Sequence, residues 1–137
     1  MREWTVRGRE LTLFALVALA TCKGRSGAAS FDEVPVVAPF DAMQLPTTGG
    51  VVWQCNAARM KILYDGGDRA ALGDRYARAV EQHGWSADQP GASSSHQWIE
   101  RYRKGPSMLT LDVHDADFRG RVPSGVEVFL SIEDAPK

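Results

Sequence analysis

The pattern of apolar and polar residues differs between the beginning of the chain and the rest of it. Residues 11–20 (LTLFALVALA) are an almost uninterrupted apolar run, whereas short stretches after residue 51 alternate apolar with polar side chains. Alternation with a period of two is typical of strands that bury one face, whereas an amphipathic core helix shows a polar stripe that this run lacks. The pattern therefore predicts a separate N-terminal segment followed by a domain rich in β-structure.

Short alternating stretches predict the strands of the domain. Residues 51–55 and 59–64 are rich in apolar and β-branched residues, and residues 56–58 between them are either a hairpin turn or a bulge in one long strand. By contrast, residues 89–95 (QPGASSS) have the composition of a loop. Further strands are predicted at residues 85–88, 96–103, 107–114 and 126–132, with a turn at 104–106 and a polar connection at 115–125.

One helix is predicted at residues 69–83. The carboxylate of Asp68 is placed to accept hydrogen bonds from the first unpaired amides of the helix, and Gly84 is placed to adopt the left-handed conformation that ends it. Asp74 and Arg78 are one turn apart and can form an ion pair. Apolar positions recur at spacings of three and four residues, which predicts one buried face made by Leu72, Tyr76, Ala79, Val80 and His83.

The order of these elements predicts the fold class. A pair of strands, one helix and then three or four more strands indicate an α+β domain, with an antiparallel sheet of about four to six strands and one helix packed on one face. Residues 51–137 are assigned to this domain. Residues 22–50 are assigned to a tether and a strap, because residues 23–30 are small and polar whereas the proline-rich residues 31–46 favour an extended strap on the domain surface.

The N-terminal segment has the layout of a secretory signal peptide. Basic residues precede the apolar run, and small residues lie at its end. As a helix, residues 11–22 would span only about 18 Å, which is shorter than the hydrocarbon core of about 30 Å. We therefore predict that residues 1–21 are an export signal rather than a membrane-spanning helix.

The end of this segment resembles the lipobox of bacterial lipoproteins. Residues 19–22 read LATC, and in that class a signal peptidase cuts before a cysteine whose sulfur carries lipid. The resemblance implies lipidation of Cys22 and attachment of the mature chain, through this lipid, to a membrane of the bacterial cell envelope. The sequence departs from the usual pattern at Thr21, and the alternative is cleavage after residues 18–20 (ALA), which would release a soluble secreted protein.

The second cysteine separates the two interpretations. If Cys22 is lipidated, Cys55 is expected to be a buried thiol within a strand, whereas without lipid a Cys22–Cys55 disulfide becomes feasible in an oxidising compartment. The helix that ends at Gly84 and Trp85 and leads into a β meander is also similar to small α+β domains of bacterial envelope lipoproteins. This second resemblance implies no catalytic residue.

Charge argues against a nucleic-acid partner. The chain contains 16 lysine and arginine residues against 17 acidic residues, and removing residues 1–21 leaves it slightly acidic. A nucleic-acid-binding protein needs a concentrated basic face that displaces counterions from phosphates. The most basic patch, residues 101–104 (RYRK), is interpreted as a solvated strand face.

The densest group of candidate metal ligands is Asp112, His114, Asp115 and Asp117. Asp112 and His114 are expected to project from the same strand face, and oxygen with imidazole ligands suits zinc or manganese. No motif of high specificity, such as HExxH or paired CxxC, occurs in the sequence. We therefore predict no metal, no cofactor and no catalytic residue, and keep a metal-assisted hydrolase built on Asp112 and His114 as an alternative.

Two other motifs are interpreted as structural. Residues 93–95 are serines beside His96, but the glycine that closes a nucleophile elbow is missing, so a flexible loop is predicted there. Residues 45–49 (LPTTG) match a sortase sorting signal, but they lie in the middle of the chain before a strand and are interpreted as a proline-led turn.

The aromatic residues supply the one candidate interaction surface. Trp53, Trp85 and Trp98 are expected to pack in or beside the core of so small a domain. If the strand face were exposed instead, Trp98 and Tyr102 would form a ligand-binding stripe on it, and we keep this pair as the candidate surface.

Together these features predict an exported, lipid-anchored envelope protein whose domain is a non-catalytic binding module, with the membrane as its attachment and another envelope protein as its candidate partner. An alternative from a different class is a secreted inhibitor or small-ligand-binding protein that works through residues 89–95.

Overall fold

One antiparallel sheet and one helix make up the part of the chain that the structure, a computed structural model, describes: residues 31–116 and 124–134. The helix packs on one face of the sheet, so the predicted α+β class is confirmed. The sheet has the strand order β1-β2-β6-β5-β4-β3, and every neighbouring pair is antiparallel. The elements are β1 (Val51–Cys55), β2 (Arg59–Tyr64), α1 (Arg69–Gln82), β3 (Ser86–Ser93), β4 (Gln97–Lys104), β5 (Ser107–Asp115) and β6 (Val126–Asp134).

The first two strands form a hairpin, which decides between the two alternatives left open by the sequence. The side-chain oxygen of Asn56 accepts hydrogen bonds from the amides of Ala58 and Arg59, both at 2.9 Å, and this turns the chain back on itself. Asparagine is favoured at such turns because its short side chain can satisfy nearby backbone amides. The register of the hairpin shifts between Val52 and Gln54.

Helix α1 begins at Arg69 as predicted and ends at Gln82, one residue before the predicted end at residue 83. Asp68 accepts a hydrogen bond from the amide of Ala70 at 2.9 Å, and Gly84 follows the helix with a φ of +90°, a conformation that costs glycine little. Asp74 and Arg78 form the predicted ion pair at 2.7 Å. The apolar face is buried against the sheet, and His83 is the one member of the predicted face that stays half-buried.

A glycine inside the helix lets α1 approach the sheet closely. A β-carbon built on Gly73 would lie 2.5 Å from the indole ring of Trp98 on β4, which is closer than such atoms can pack. The helix propensity lost at Gly73, about 1 kcal/mol relative to alanine, is therefore the cost of seating this large ring beneath the helix.

The sheet is more extensive than predicted, because residues 89–93 belong to a strand and not to a loop. They continue β3, which pairs with β4 at the edge of the sheet and has register shifts between Ala87 and Gln89 and between Gln89 and Ala92. An edge strand needs hydrogen bonds on only one side, so it tolerates proline, glycine and bulges that a central strand excludes. The loop prediction was wrong for this reason.

The strap is part of the folded unit. Phe40 and Met43, which form a short 3-10 helix (Phe40–Met43), are 1% and 4% exposed and belong to the main core between α1 and the sheet. Earlier in the strap, the amide of Val34 donates to the carbonyl of Val52 on edge strand β1 at 2.8 Å. The predicted surface position of the strap is therefore corrected for Phe40 and Met43, whose side chains belong to the core.

A second, smaller cluster lies on the opposite face of the sheet. Leu63 is fully buried there, and Phe31, Val51, Trp53 and Ala116 pack around it. The strap consequently starts at this face, crosses the β1 edge and ends in the main core.

Several predictions concern residues outside the described part of the chain. These are the export signal at residues 1–21, Cys22 with the tether, and Asp117. Within residues 31–116 and 124–134, no helix is long and apolar enough to cross a membrane.

Candidate functional site

The sheet face opposite α1 carries most of the charged side chains that the fold brings together. We call it the open face. Its side chains follow from the register, since residues paired across antiparallel strands project to the same side. Three rows cross β2, β6, β5 and β4 in that order: Leu63, Glu127, His114 and Gln97; Lys61, Phe129, Asp112 and Ile99; Arg59, Ser131, Thr110 and Arg101.

His114 joins two carboxylates on this face. Its Nε2 lies 3.0 Å from Oε1 of Glu127, and its Nδ1 lies 3.1 Å from Oδ1 of Asp112. The hydrogen bonds to Asp112 and, next, to Glu127 raise the pKa of His114 to about 9, against the opposing effect of burial. The ring is therefore an imidazolium at neutral pH and donates from both nitrogens.

Glu127 is the buried charged residue in the described part of the chain, with 5% of its surface exposed. A carboxylate removed from water is costly unless its oxygens are hydrogen-bonded. Here one oxygen faces His114, and the other accepts a hydrogen bond from the indole nitrogen of Trp53 at 2.9 Å. Similarly, the second oxygen of Asp112 accepts from the side-chain amide of Gln97 at 3.0 Å. Each carboxylate oxygen of this network therefore has a donor.

Lys61 is held between two aromatic rings beside this network. Its ammonium lies 5.2 Å from the centroid of Trp53 and 5.0 Å from that of Phe129. Both distances are within the range in which the face of an aromatic ring attracts a cation. Lys61 and the two rings are all half-buried, so the ammonium is positioned and still reachable from solvent.

Two arginines flank a pair of hydroxyl groups in the adjacent row. Arg59 and Arg101 are exposed, and Ser131 and Thr110 are paired between them in the register. Within residues 31–116 and 124–134, no acid forms an ion pair with Arg59, Arg101 or Lys61. Because His114 offsets one of the two negative charges of Asp112 and Glu127, these three cations still leave the open face with a surplus of positive charge.

The candidate pair Trp98 and Tyr102 does not form an exposed stripe on the sheet. Tyr102 is completely buried on the α1 side of the sheet, where its hydroxyl donates to Glu100 at 2.7 Å and burial raises its pKa. Trp98 is half-buried beneath Gly73. The two aromatic residues lie on the same face of β4, as the sequence predicts, but this is the face that α1 covers.

The four candidate metal ligands are not brought together. Asp112 and His114 share the open face as predicted, whereas Asp115 binds Arg69 and lies 3.1 Å from His96. The hydrogen bond from His96 holds the pKa of Asp115 below its usual value. Among the residues that the structure describes, no group of three or more His, Cys, Asp or Glu side chains is arranged to hold a metal ion.

Cys55 is a free thiol at the end of β1. It is half-buried, and its sulfur accepts a hydrogen bond from the amide of Val37 at 3.4 Å. Its position within a strand is the one expected for an unpaired cysteine, but the side chain is half-buried rather than buried.

A shallow groove of about 230 Å³ adjoins the open face between β3 and β4. It is formed where β3 loses its regular register, and its lining combines two apolar side chains with an amide, an acid and a cation: Gln89, Ala92, Ile99, Glu100 and Arg101.

Of the residues that the open face brings together, only Asp112 and His114 were predicted to share a face. Glu127 lies at a polar position of the alternating strand β6, and its burial depends on Trp53, which is 74 residues away. One local signal existed, because Phe129 interrupts the polar alternation of β6. No protein-family model matches the chain, and neither a curated protein nor a solved structure is significantly similar to it.

Proposed function

We propose that the chain is an exported protein of the bacterial cell envelope, anchored by lipid on Cys22, and that its α+β domain is a non-catalytic binding module. The proposal of export and anchoring is supported by the apolar run at residues 11–20 and by the lipobox-like residues 19–22. The domain is proposed to engage a component of the envelope through the open face.

A binding role is supported by the way the acid and base groups of the open face are used. A general acid or base must be able to exchange a proton with a substrate, which requires a free position on the group. His114 uses both ring nitrogens to hold Asp112 and Glu127, and the latter carboxylate is also held by Trp53. Both nitrogens of the His114 ring are therefore engaged in holding neighbouring strands together, which supports a structural role for this group.

The observation that carries the proposal is the surplus of positioned positive charge on the open face. Lys61 is held between Trp53 and Phe129, and Arg59 and Arg101 have no acidic partner among the described residues. A cation whose position is fixed loses less conformational freedom when it binds, so it contributes more of its interaction energy to affinity.

The anchor is tested by metabolic labelling with radioactive palmitate, followed by separation of membrane and soluble fractions. The chain has two cysteines, and the second supplies a matched control. We expect the wild-type protein and the Cys55→Ala variant to be labelled in the membrane fraction, and the Cys22→Ala variant to be unlabelled. Unlabelled wild-type protein in the soluble fraction would remove the anchor from the proposal.

A second candidate function is a secreted small-ligand binder that uses the groove between β3 and β4. The groove is favoured by the guanidinium of Arg101 beside the apolar side chains of Ala92 and Ile99. This candidate requires a soluble exported protein. It gains support only if the palmitate experiment finds no label and the protein accumulates outside the cell.

A further inference from the structure

We propose that the open face rests on anionic lipid headgroups of the membrane to which the chain is attached. This inference rests on the lipid anchor proposed above, and it names the envelope component that the open face engages. It is carried by two observations, the charge of the face and the point at which the described chain begins.

The charge of the open face complements an anionic surface. Arg59, Lys61 and Arg101 are spread across the face from β2 to β4, whereas His114 offsets one of the two negative charges at its centre. Each cation brought near an anionic membrane contributes attraction that falls off within about 10 Å at ordinary ionic strength.

One acid at the margin of the face opposes this attraction. Glu133 is exposed further along β6, in register with Met108 of β5. Together with the one negative charge that His114 leaves on Asp112 and Glu127, it makes two negative charges, against the three positive charges of the rows described above.

The polar groups between the arginines suit phosphate oxygens. Thr110 and Ser131 are half-buried and carry hydroxyl groups that can donate hydrogen bonds, as can the ammonium of Lys61. Their row lies between two guanidinium groups, which bind phosphate through paired donors. Hydrogen-bond donors and positive charges therefore lie on the same face of the sheet.

The described chain begins on the open face. The ring of Phe31 packs on that of Trp53, with centroids 6.3 Å apart, and both belong to the cluster around Leu63. Residues 22–30 can span at most about 30 Å when fully extended. A domain anchored at Cys22 would therefore be kept within that distance of the bilayer, with the open face on the side from which the tether leaves.

The test measures how fast single lysines are acylated on vesicles of defined composition. Protein isolated from the producing cells, with any modification of Cys22 retained, is added to an excess of phosphatidylcholine vesicles or of vesicles that also contain phosphatidylglycerol. A neutral acylating reagent is applied, and modification of Lys61 and Lys104 is quantified by peptide mass spectrometry. Lys104 is the internal control, because it lies on the α1 side, where its ammonium binds the carbonyl of His83.

We expect phosphatidylglycerol to slow the acylation of Lys61 several-fold and to leave Lys104 unchanged, and we expect high salt to abolish the difference. The double variant R59Q/R101Q keeps the reporter Lys61 and should lose the protection, with an affinity for phosphatidylglycerol vesicles about 30-fold lower, from about 1 kcal/mol for each cation. The matched variant R75Q/R78Q removes two charges from α1 and should behave as wild type.

Two results would overturn the inference. One is an equal rate of Lys61 acylation on both kinds of vesicle, which would leave the open face to a partner other than lipid. The other is undiminished protection of Lys61 in R59Q/R101Q. If the wild-type protein is not labelled with palmitate but Lys61 is still protected, the lipid anchor is refuted and the lipid-binding face is retained. The two proposals can therefore fail separately.

Discussion

The imidazole Nε2 of His114 lies 3.0 Å from a carboxylate oxygen of Glu127, on the face of the sheet that the helix leaves uncovered. Through this contact a charged ring on β5 holds a buried carboxylate on β6. The indole of Trp53 extends the connection to edge strand β1, 74 residues away in sequence. This polar network therefore connects β1, β5 and β6 on the face of the sheet opposite the main core.

The contribution of His114 to stability depends on pH. Its pKa is raised from 6.5 to about 9 in the folded state, so the stabilisation is fully present below pH 6.5 and is lost as the pH rises through 9. We expect the free energy of unfolding to fall by about 1–3 kcal/mol between pH 6 and pH 9, after allowance for the partial exposure of the ring. Urea unfolding at a series of pH values measures this.

His114→Gln should flatten that dependence and be less stable than wild type at pH 6. His83→Gln is the matched control, since the His83 ring contacts the backbone carbonyl of Ala79 and no acid. A wild-type stability that stays level or rises between pH 6 and pH 9 would contradict the assignment.

Neutralising either acid should lower the pKa of His114. Asp112→Asn should lower it by about one unit or more, because the hydrogen bond to Asp112 is the largest cause of the shift, and Glu127→Gln should have a smaller effect in the same direction. An NMR titration of the His114 ring reports the value directly. An unchanged pKa in both variants would show that these contacts do not form in solution.

Removing the indole donor should destabilise the fold. Trp53→Phe leaves one oxygen of buried Glu127 without its donor, so we expect a loss of about 1–3 kcal/mol in the free energy of unfolding. Phe129→Leu also removes an aromatic contact to Lys61 but takes no hydrogen bond from the carboxylate. Denaturant unfolding should find the first substitution costlier, and the reverse order would argue against a structural role for the indole hydrogen bond.

Adding one methyl group at Gly73 should destabilise the domain although alanine is the better helix former. The new carbon would meet the ring of Trp98, and overpacking of this kind costs about 1–3 kcal/mol. In a Trp98→Leu background the same Gly73→Ala change should be neutral or stabilising by up to about 1 kcal/mol. Thermal and denaturant unfolding of the four proteins in this cycle provide the test, and equal effects in both backgrounds would refute the close contact.

Local sequence signals predicted the helix and most of the strands. Contacts between residues distant in sequence determine the strand order and the face of the sheet that the helix covers. Asp68 and Gly84 act within a few residues of themselves, so the ends of α1 could be predicted, as could the alternating core positions of β5. The edge position of β3 could not, because it depends on strand order. Likewise, nothing near Tyr102 indicates which face of β4 the helix covers.

The open face was the hardest feature to predict. Asp112 and His114 were correctly placed on one face, but their partner Glu127 comes from another strand and its burial requires Trp53. The role of Lys61 likewise needs two rings from two further strands. The sequence of one strand does not indicate which side chains from other strands will contact its polar residues.

The most direct test of the central claim, an exported and lipid-anchored domain, is the intact mass of the protein recovered from the envelope of the producing cells. We expect a chain that begins at Cys22 and carries the added mass of lipid on that residue. A mass that corresponds to an unmodified chain beginning at Met1 or at Thr21 would contradict it.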